Sequence, residues 1–126
     1  NAGIAHVAAI DRLRLADWER SIAVNATGHF LVARAAIRLL RAQGLGGALV
    51  FIASKNVLAP GREFGAYSAA KAAQTQLARV LAIENGEAKI RVNIVNPDGV
   101  FEGSGLFQRP IAPRHNRSLR EQRSSR

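Results

Sequence analysis

The sequence of 126 residues contains no cysteine, so it has neither a disulfide framework nor a thiolate nucleophile. This composition fits a reducing compartment, and we expect a cytoplasmic location. No apolar run reaches the roughly 18 residues that a membrane-spanning helix requires, so we expect no such helix. The chain opens on Asn1 rather than methionine and lacks the basic start and apolar core of a signal peptide, which predicts a fragment of a longer protein.

A metal-ligand pattern is also missing. The three histidines, His6, His29 and His115, share no ligand spacing, and neither cysteine nor a paired carboxylate accompanies them. We therefore expect no metal site, and we interpret His29 as an ordinary residue on a helix face.

The positive charge is unevenly distributed along the chain. Of the net charge of +9, residues 109–126 supply +5, from six arginines and one glutamate. Residues 108–126 show no hydrophobic period and contain Pro110 and Pro113, so they are predicted to form a disordered basic tail. The tail lacks the aromatic spacing of a base-stacking surface, and we do not expect nucleic acid as a partner.

The remainder, residues 1–107, is predicted to form one small domain, because 48% of the chain is apolar. Apolar residues recur every three or four positions over residues 17–43, which predicts one amphipathic helix. Asp17 is the expected N-cap of this helix, and Gly44 is the expected stop.

A short apolar run at residues 48–53 predicts a strand buried on both faces of a parallel sheet. Good helix formers dominate residues 66–84, and Asn85 and Gly86 supply the stop. Residues 89–95 are predicted to form a second strand. Alternating helices and strands in this order indicate an α/β fold with a crossover between parallel strands.

Tyr67 and Lys71 are the first candidates for chemistry. A spacing of four residues on a helix stacks the phenol and the ammonium on one face, with Cβ atoms about 5–6 Å apart. A nearby ammonium favours a phenolate, which makes a tyrosine usable as an acid or base. The pair alone also fits a partly exposed tyrosine beside a solvated lysine, so the neighbouring residues decide between the two interpretations.

Two further polar residues lie where they favour a functional site. Ser54 follows the buried strand directly, at the carboxyl end where α/β sheets place their ligands, and its hydroxyl could hold a substrate carbonyl. Asn25 lies inside the first predicted helix, although asparagine is a mediocre helix former. This position favours a functional or water-binding role.

In order and spacing, several motifs of this chain resemble the short-chain dehydrogenase/reductase family. They are the Asn-Ala-Gly of residues 1–3, the Val-Asn-Ala-Thr-Gly of residues 24–28, Ser54, Tyr67-x-x-x-Lys71, and the Arg-Val-Asn-Ile-Val-Asn-Pro of residues 91–97. The resemblance implies part of a Rossmann-like, doubly wound parallel sheet, from the end of the fourth strand through the sixth strand.

The resemblance also implies an NAD(P)-dependent oxidoreductase that acts on a small alcohol, an aldehyde or a sugar-derived carbonyl. It implies that Tyr67 exchanges the proton, that Lys71 binds the nicotinamide ribose and acts on the tyrosine, and that Ser54 binds the substrate. Asn25 is expected to hold a relay water. The family commonly pairs helices into a dimer bundle, so a homo-oligomer is implied as well.

Further cofactor contacts are implied by the same resemblance. Asn1, Ala2 and Gly3 are expected beside the adenosine side of NAD or NADP, together with Tyr67 and Lys71 at the nicotinamide side. The remaining two contacts, near the nicotinamide carboxamide, are expected from Pro97 and Val100.

The chain departs from the family pattern in two places. The usual Pro-Gly after the last strand is Pro97-Asp98 here, and residues 96–107 resemble the dehydrogenase part of bifunctional rhamnulose-1-phosphate aldolase/lactaldehyde dehydrogenase proteins. The second departure is the absence of the glycine-rich turn that binds pyrophosphate. Because this turn is missing, the alternative to an enzyme is an inactive, truncated remnant with no activity of its own.

Overall fold

The computed structural model describes residues 2–99. It contains three α-helices and two β-strands in the order helix, helix, strand, helix, strand within this range. The elements are α1 (Leu15–Ile22), α2 (Gly28–Gln43), β1 (Gly47–Ile52), α3 (Gly65–Asn85) and β2 (Ile90–Val95), with 3-10 turns at Ile10–Arg12 and Lys55–Val57. The expected basic tail lies outside the described residues.

The first helical region begins earlier than predicted, and Asp17 is not its N-cap. α1 begins at Leu15, and the capping residue Arg14 makes no side-chain cap hydrogen bond. Asp17 instead lies in the first turn, with its carboxylate 3.7 Å from the Arg14 guanidinium. A carboxylate in this position stabilises the helix through the partial positive charge of the N-terminus rather than through a cap.

The helix predicted over residues 17–43 is present, but it is not a regular α-helix throughout. A π-helical turn at Ala23–Thr27 separates α1 from α2, and the Gly28 N–H donates to the Ala23 carbonyl five residues back. Such a turn inserts an extra residue into the helix, and π turns are frequent at functional sites. Gly44 ends α2 as predicted, in the left-handed conformation with φ of 67°.

The two strands form a parallel pair, in register from Gly47 opposite Ile90 to Ile52 opposite Val95, with α3 connecting them. One face of the pair packs against the helices. The core on that face comprises Ala33, Phe51 and Ala78, with the partly buried Leu49, Leu77, Leu81, Val92 and Ile94 around them.

The other face of the strands is open, so the prediction of a β1 strand buried on both faces was wrong. Val50 is 59% exposed and Val95 is 48% exposed. Within residues 2–99, β2 is the only strand that pairs with β1. Beside β1 lies a cavity of about 250 Å³, which is lined by Val50, Ile52, Ala2 and His29 among others.

None of the helices in the described part of the chain is both long enough and apolar enough to cross a membrane.

Candidate active site

α3 brings Tyr67 and Lys71 together at the carboxyl end of β1. Both residues are buried, and the Lys71 Nζ lies 5.8 Å from the centroid of the Tyr67 ring. The Phe64 ring meets the Tyr67 ring edge-on, with centroids 6.2 Å apart, which favours one orientation of the phenol. The predicted stacking of phenol and ammonium on one helix face is therefore present in the structure.

The ammonium of Lys71 is held by the strand beside it. Its Nζ donates a 2.8 Å hydrogen bond to the Ile52 carbonyl, the last carbonyl of β1. Burial lowers the pKa of Lys71 because the charged form loses its hydration. The ammonium of Lys71 is therefore held in one position, and burial disfavours its charged form.

Gln74 is a site residue that the sequence analysis missed. It is completely buried, and its Nε2 donates a 3.2 Å hydrogen bond to the same Ile52 carbonyl that accepts from Lys71. The signal was available, because a residue three positions after Lys71 lies on the same helix face. Lys71 and Gln74 thus share one acceptor.

Ser54 follows β1, as the sequence indicated, and the structure shows that it is buried. Its Oγ accepts a 3.2 Å hydrogen bond from the backbone N–H of Asn56, and the 3-10 turn Lys55–Val57 starts there. Because the hydroxyl accepts in this contact, its own proton remains free to be donated. α3 packs against this turn as well as against the π turn.

Asn25 lies in the π turn and is completely buried. Its Oδ1 accepts a 3.0 Å hydrogen bond from the Ile4 N–H, and its Nδ2 donates a 2.8 Å bond to the Ile4 carbonyl. A Cβ added at Gly3 would lie 3.3 Å from Asn25 Oδ1, so this close approach favours glycine. The amide of Asn25 therefore ties the N-terminal segment to the helices.

The other expected cofactor contacts are only partly described. Ala2 and Gly3 are exposed, and Ala2 lines the cavity beside β1. Pro97 accepts a 3.0 Å hydrogen bond from the Lys55 N–H through its carbonyl. Asn1 and Val100 lie outside the described residues.

His29 is not an ordinary helix-face residue. It lines the cavity beside β1, and neither ring nitrogen has a hydrogen-bond partner among the described residues although both are buried. Burial, and then the charge of Lys71, lower the pKa of His29, while the nearby Val24 and Asn25 carbonyls oppose the shift. The spacing argument missed this because the ring faces inward from α2.

Residues 2–99 contain no cluster of histidine and carboxylate side chains that could hold a metal ion. The side chains that converge at the end of β1 are instead a hydroxyl, a phenol and an ammonium, a set suited to proton exchange and hydrogen bonding.

A comparison with known protein families matches residues 1–107 to the short chain dehydrogenase model. The chain belongs to the short-chain dehydrogenase family. A curated relative, the uncharacterized oxidoreductase YuxG of Bacillus subtilis (strain 168), is 45% identical over 107 residues, which are 85% of this chain and 16% of that protein. The family explains the parallel strands and the order of the site motifs.

Solved structures agree with this assignment. The fold superimposes on sorbitol-6-phosphate 2-dehydrogenase SrlD from Erwinia amylovora with a TM-score of 0.81 and 32% identity, over 86% of this chain and 42% of that one. A 4-hydroxyisoleucine dehydrogenase complexed with NADH and succinate gives 0.74 and 31%, over 77% and 42%. The short-chain dehydrogenase segment described here thus spans less than half of each of these proteins.

Proposed function

We propose that this chain carries the catalytic part of a cytoplasmic, NAD(P)-dependent oxidoreductase for small alcohols, aldehydes or sugar-derived carbonyls. The observation that carries the proposal is the buried pair of Tyr67 and Lys71, with the ammonium 5.8 Å from the phenol ring centroid, beside Ser54 at the end of β1. The absence of cysteine fits a reducing compartment.

The residues present fit the nicotinamide end of such a cofactor. Lys71 uses one N–H on Ile52, the one hydrogen bond of its ammonium within residues 2–99, which leaves two donors for ribose hydroxyls. These 126 residues hold no glycine-rich turn before a helix, so they do not themselves supply the pyrophosphate contacts of that motif. When bound, the cofactor accepts or supplies the hydride.

The protein groups then handle the proton and the substrate oxygen. The Ser54 hydroxyl donates to the substrate oxygen, because its proton is not used in the contact with the Asn56 N–H. Tyr67 takes the hydroxyl proton when an alcohol is oxidised and returns it when a carbonyl is reduced. The Lys71 ammonium stabilises negative charge on the phenol oxygen through space, and burial strengthens this interaction.

Asn25 has a different part in this proposal. Both polar atoms of its amide are bonded to Ile4, so the side chain fixes the π turn beside α3. A relay water, which the family resemblance implies, would therefore bind at the carbonyl groups of this turn rather than at the Asn25 amide.

The substrate class is supported by relatives. One structural neighbour is a sorbitol-6-phosphate 2-dehydrogenase and another holds NADH with succinate. YuxG is much longer than the matched segment, which fits the resemblance of residues 96–107 to bifunctional proteins with a lactaldehyde dehydrogenase part. Polyols, sugar phosphates and lactaldehyde are therefore the compounds to test.

The test is NAD- and NADP-dependent turnover on these compounds, with Tyr67→Phe as the decisive variant. We expect Tyr67→Phe to lower kcat at least about 100-fold, since general acid–base catalysis contributes that much, and to leave NADH binding intact. Lys71→Met should weaken both turnover and binding, and Arg79→Gln, on the exposed side of α3, is the control. Unchanged turnover in Tyr67→Phe would refute the role of the phenol.

The second candidate is that these 126 residues have no activity of their own, since they hold no glycine-rich turn for a pyrophosphate. Titration of the 126-residue chain with NADH and NADPH separates the two candidates. Saturable binding in the micromolar range would refute the second candidate. The absence of both binding and turnover would refute an activity of these 126 residues on their own.

We also propose that the chain forms a homo-oligomer through α2 and α3. A groove of about 430 Å³ between these helices is lined by Phe30, Leu77 and Val80, and both Phe30 and Val80 are exposed. Burial of this apolar surface would favour association. Light scattering should give the mass of a dimer or larger, and Val80→Asp should lower it; a wild-type monomer at high concentration would contradict the proposal.

A further inference from the structure

The segments that follow β1 and β2 stay paired beyond the ends of the strands. The Ala53 N–H donates to the Val95 carbonyl at 2.8 Å, and the Lys55 N–H donates to the Pro97 carbonyl at 3.0 Å. Alternate residues of a parallel strand bond to the same neighbour, so these contacts continue the ladder. Ser54 lies between the two bonded residues, and its backbone position therefore depends on both.

A side-chain contact closes the same junction. The Lys55 ammonium makes an ion pair with the Asp98 carboxylate. Lys55 directly follows Ser54, and Asp98 directly follows Pro97, so the ion pair and the last ladder bond join the same two segments. The hydrogen bond from Lys55 lowers the pKa of Asp98, because the ammonium favours the ionised carboxylate.

The position of Asp98 makes this pair informative. At this place the short-chain dehydrogenase pattern usually has a glycine after the proline, and this chain has a carboxylate with a lysine in contact. A free carboxylate in place of glycine would add charge at the end of the sheet without a partner. The lysine beside Ser54 supplies that partner.

We propose that Lys55 and Asp98 are positioning residues, which hold the Ser54 backbone in register with the segment after β2. This inference rests on the proposed function, because it acts through the hydroxyl that binds the substrate. Both side chains are largely exposed, and an exposed ion pair changes a local equilibrium by about two- to five-fold. The pair therefore limits fraying of the junction and does not hold the whole fold.

Hydrogen exchange of the Lys55 amide in the 126-residue chain tests this directly. We expect Asp98→Asn to speed exchange of this amide about two- to five-fold and to leave the Phe51 amide, inside β1, unchanged. High salt should have the same effect on the wild type and little effect on the variant. Asp11→Asn is the matched control, because Asp11 makes an exposed contact with Arg12 away from the site.

Swapping the two charges provides a second test. Lys55→Glu alone should speed hydrogen exchange of the amide of residue 55. Lys55→Glu combined with Asp98→Lys should restore slow hydrogen exchange of this amide. If the Lys55 amide is unprotected in the wild type, or exchanges equally fast in Asp98→Asn, the positioning role is refuted. A double variant that exchanges no more slowly than Lys55→Glu also refutes it.

Turnover separates this inference from the proposed function. In the active enzyme, Asp98→Asn should raise the KM for the alcohol a few-fold, with the KM for the cofactor unchanged, and the charge-exchanged variant should recover it. Absent turnover in the wild type would refute the proposed function, while the exchange rates would still decide whether the pair holds the junction.

Discussion

Replacement of Lys71 by methionine should make the protein more stable. Lys71 is 4% exposed, and its ammonium makes one hydrogen bond within residues 2–99, to the Ile52 carbonyl. Methionine has a similar length and no charge, so it fills the same space. The Ile52 carbonyl keeps its bond from Gln74, and the substitution therefore leaves no buried acceptor without a partner.

The direction of the effect follows from the lowered pKa of Lys71, which burial causes. The hydrogen bond to Ile52 thus does not offset the loss of hydration. We expect Lys71→Met to raise the free energy of unfolding at neutral pH by about 1 kcal/mol, the amount that a stabilising substitution commonly gives, and to weaken the proposed activity.

The pH dependence distinguishes this cause from improved packing. The buried ammonium destabilises the folded state fully as long as Lys71 is charged in both the folded and the unfolded states. This destabilisation disappears as the pH rises from the lowered pKa of the folded state towards the unfolded value of 10.5. The wild type should therefore gain stability in this alkaline range. The advantage of Lys71→Met should narrow over the same range.

The assay is urea unfolding followed by circular dichroism, at neutral pH and at several alkaline pH values. Lys55→Met is the control, because this lysine is exposed and its loss should change stability by no more than about 0.5 kcal/mol. A Lys71→Met variant that is about 1 kcal/mol less stable than the wild type at neutral pH would show that the buried charge is compensated, and would refute the reasoning.

Three further predictions concern other parts of the fold. Asn25→Ala should lower the free energy of unfolding by about 2 kcal/mol, since two buried hydrogen bonds are lost; a urea midpoint equal to that of the wild type would contradict this. The wild type should lose stability as the pH falls below 6.5, because His29 has a lowered pKa and protonates more readily when unfolded; His29→Leu should reduce this slope, and an unchanged slope would argue against it. Gly46→Ala should destabilise more than Gly44→Ala in thermal melts, because both have positive φ but only the Gly46 Cβ would meet a backbone oxygen, at 2.7 Å; equal melting temperatures would refute the steric argument.

The sequence located β1, α3 and β2 to within about two residues. Local signals account for this success, because an apolar run between glycine and serine and a series of good helix formers define these elements without tertiary information. The π turn escaped prediction, since a single wider turn leaves the recurrence of apolar residues almost unchanged. Asp17 was misassigned because a carboxylate is favourable both at the cap and within the first turn.

In the candidate site, too, the features that depend on one helix were predicted and those that depend on distant segments were not. The spacing of Tyr67 and Lys71 predicted their stacking, since it depends on one helix alone. The shared Ile52 carbonyl, the amide of Asn25 on Ile4 and the inward ring of His29 depend on contacts between distant segments, about 20 residues or more apart in most cases. Periodicity carries no information on such contacts.

The bonds to Ile52 also determine how far another strand could extend along β1. Gly47 and Ala53 donate their N–H groups to residues on the β2 side. The even-numbered residues of β1 therefore direct both their N–H and their C=O groups to the opposite edge. On that edge the Ile52 carbonyl is already taken by Lys71 and Gln74. Strand addition is therefore open along Ala48 and Val50 and blocked at Ile52, so the lysine of the candidate site also terminates the hydrogen-bonding edge of the sheet.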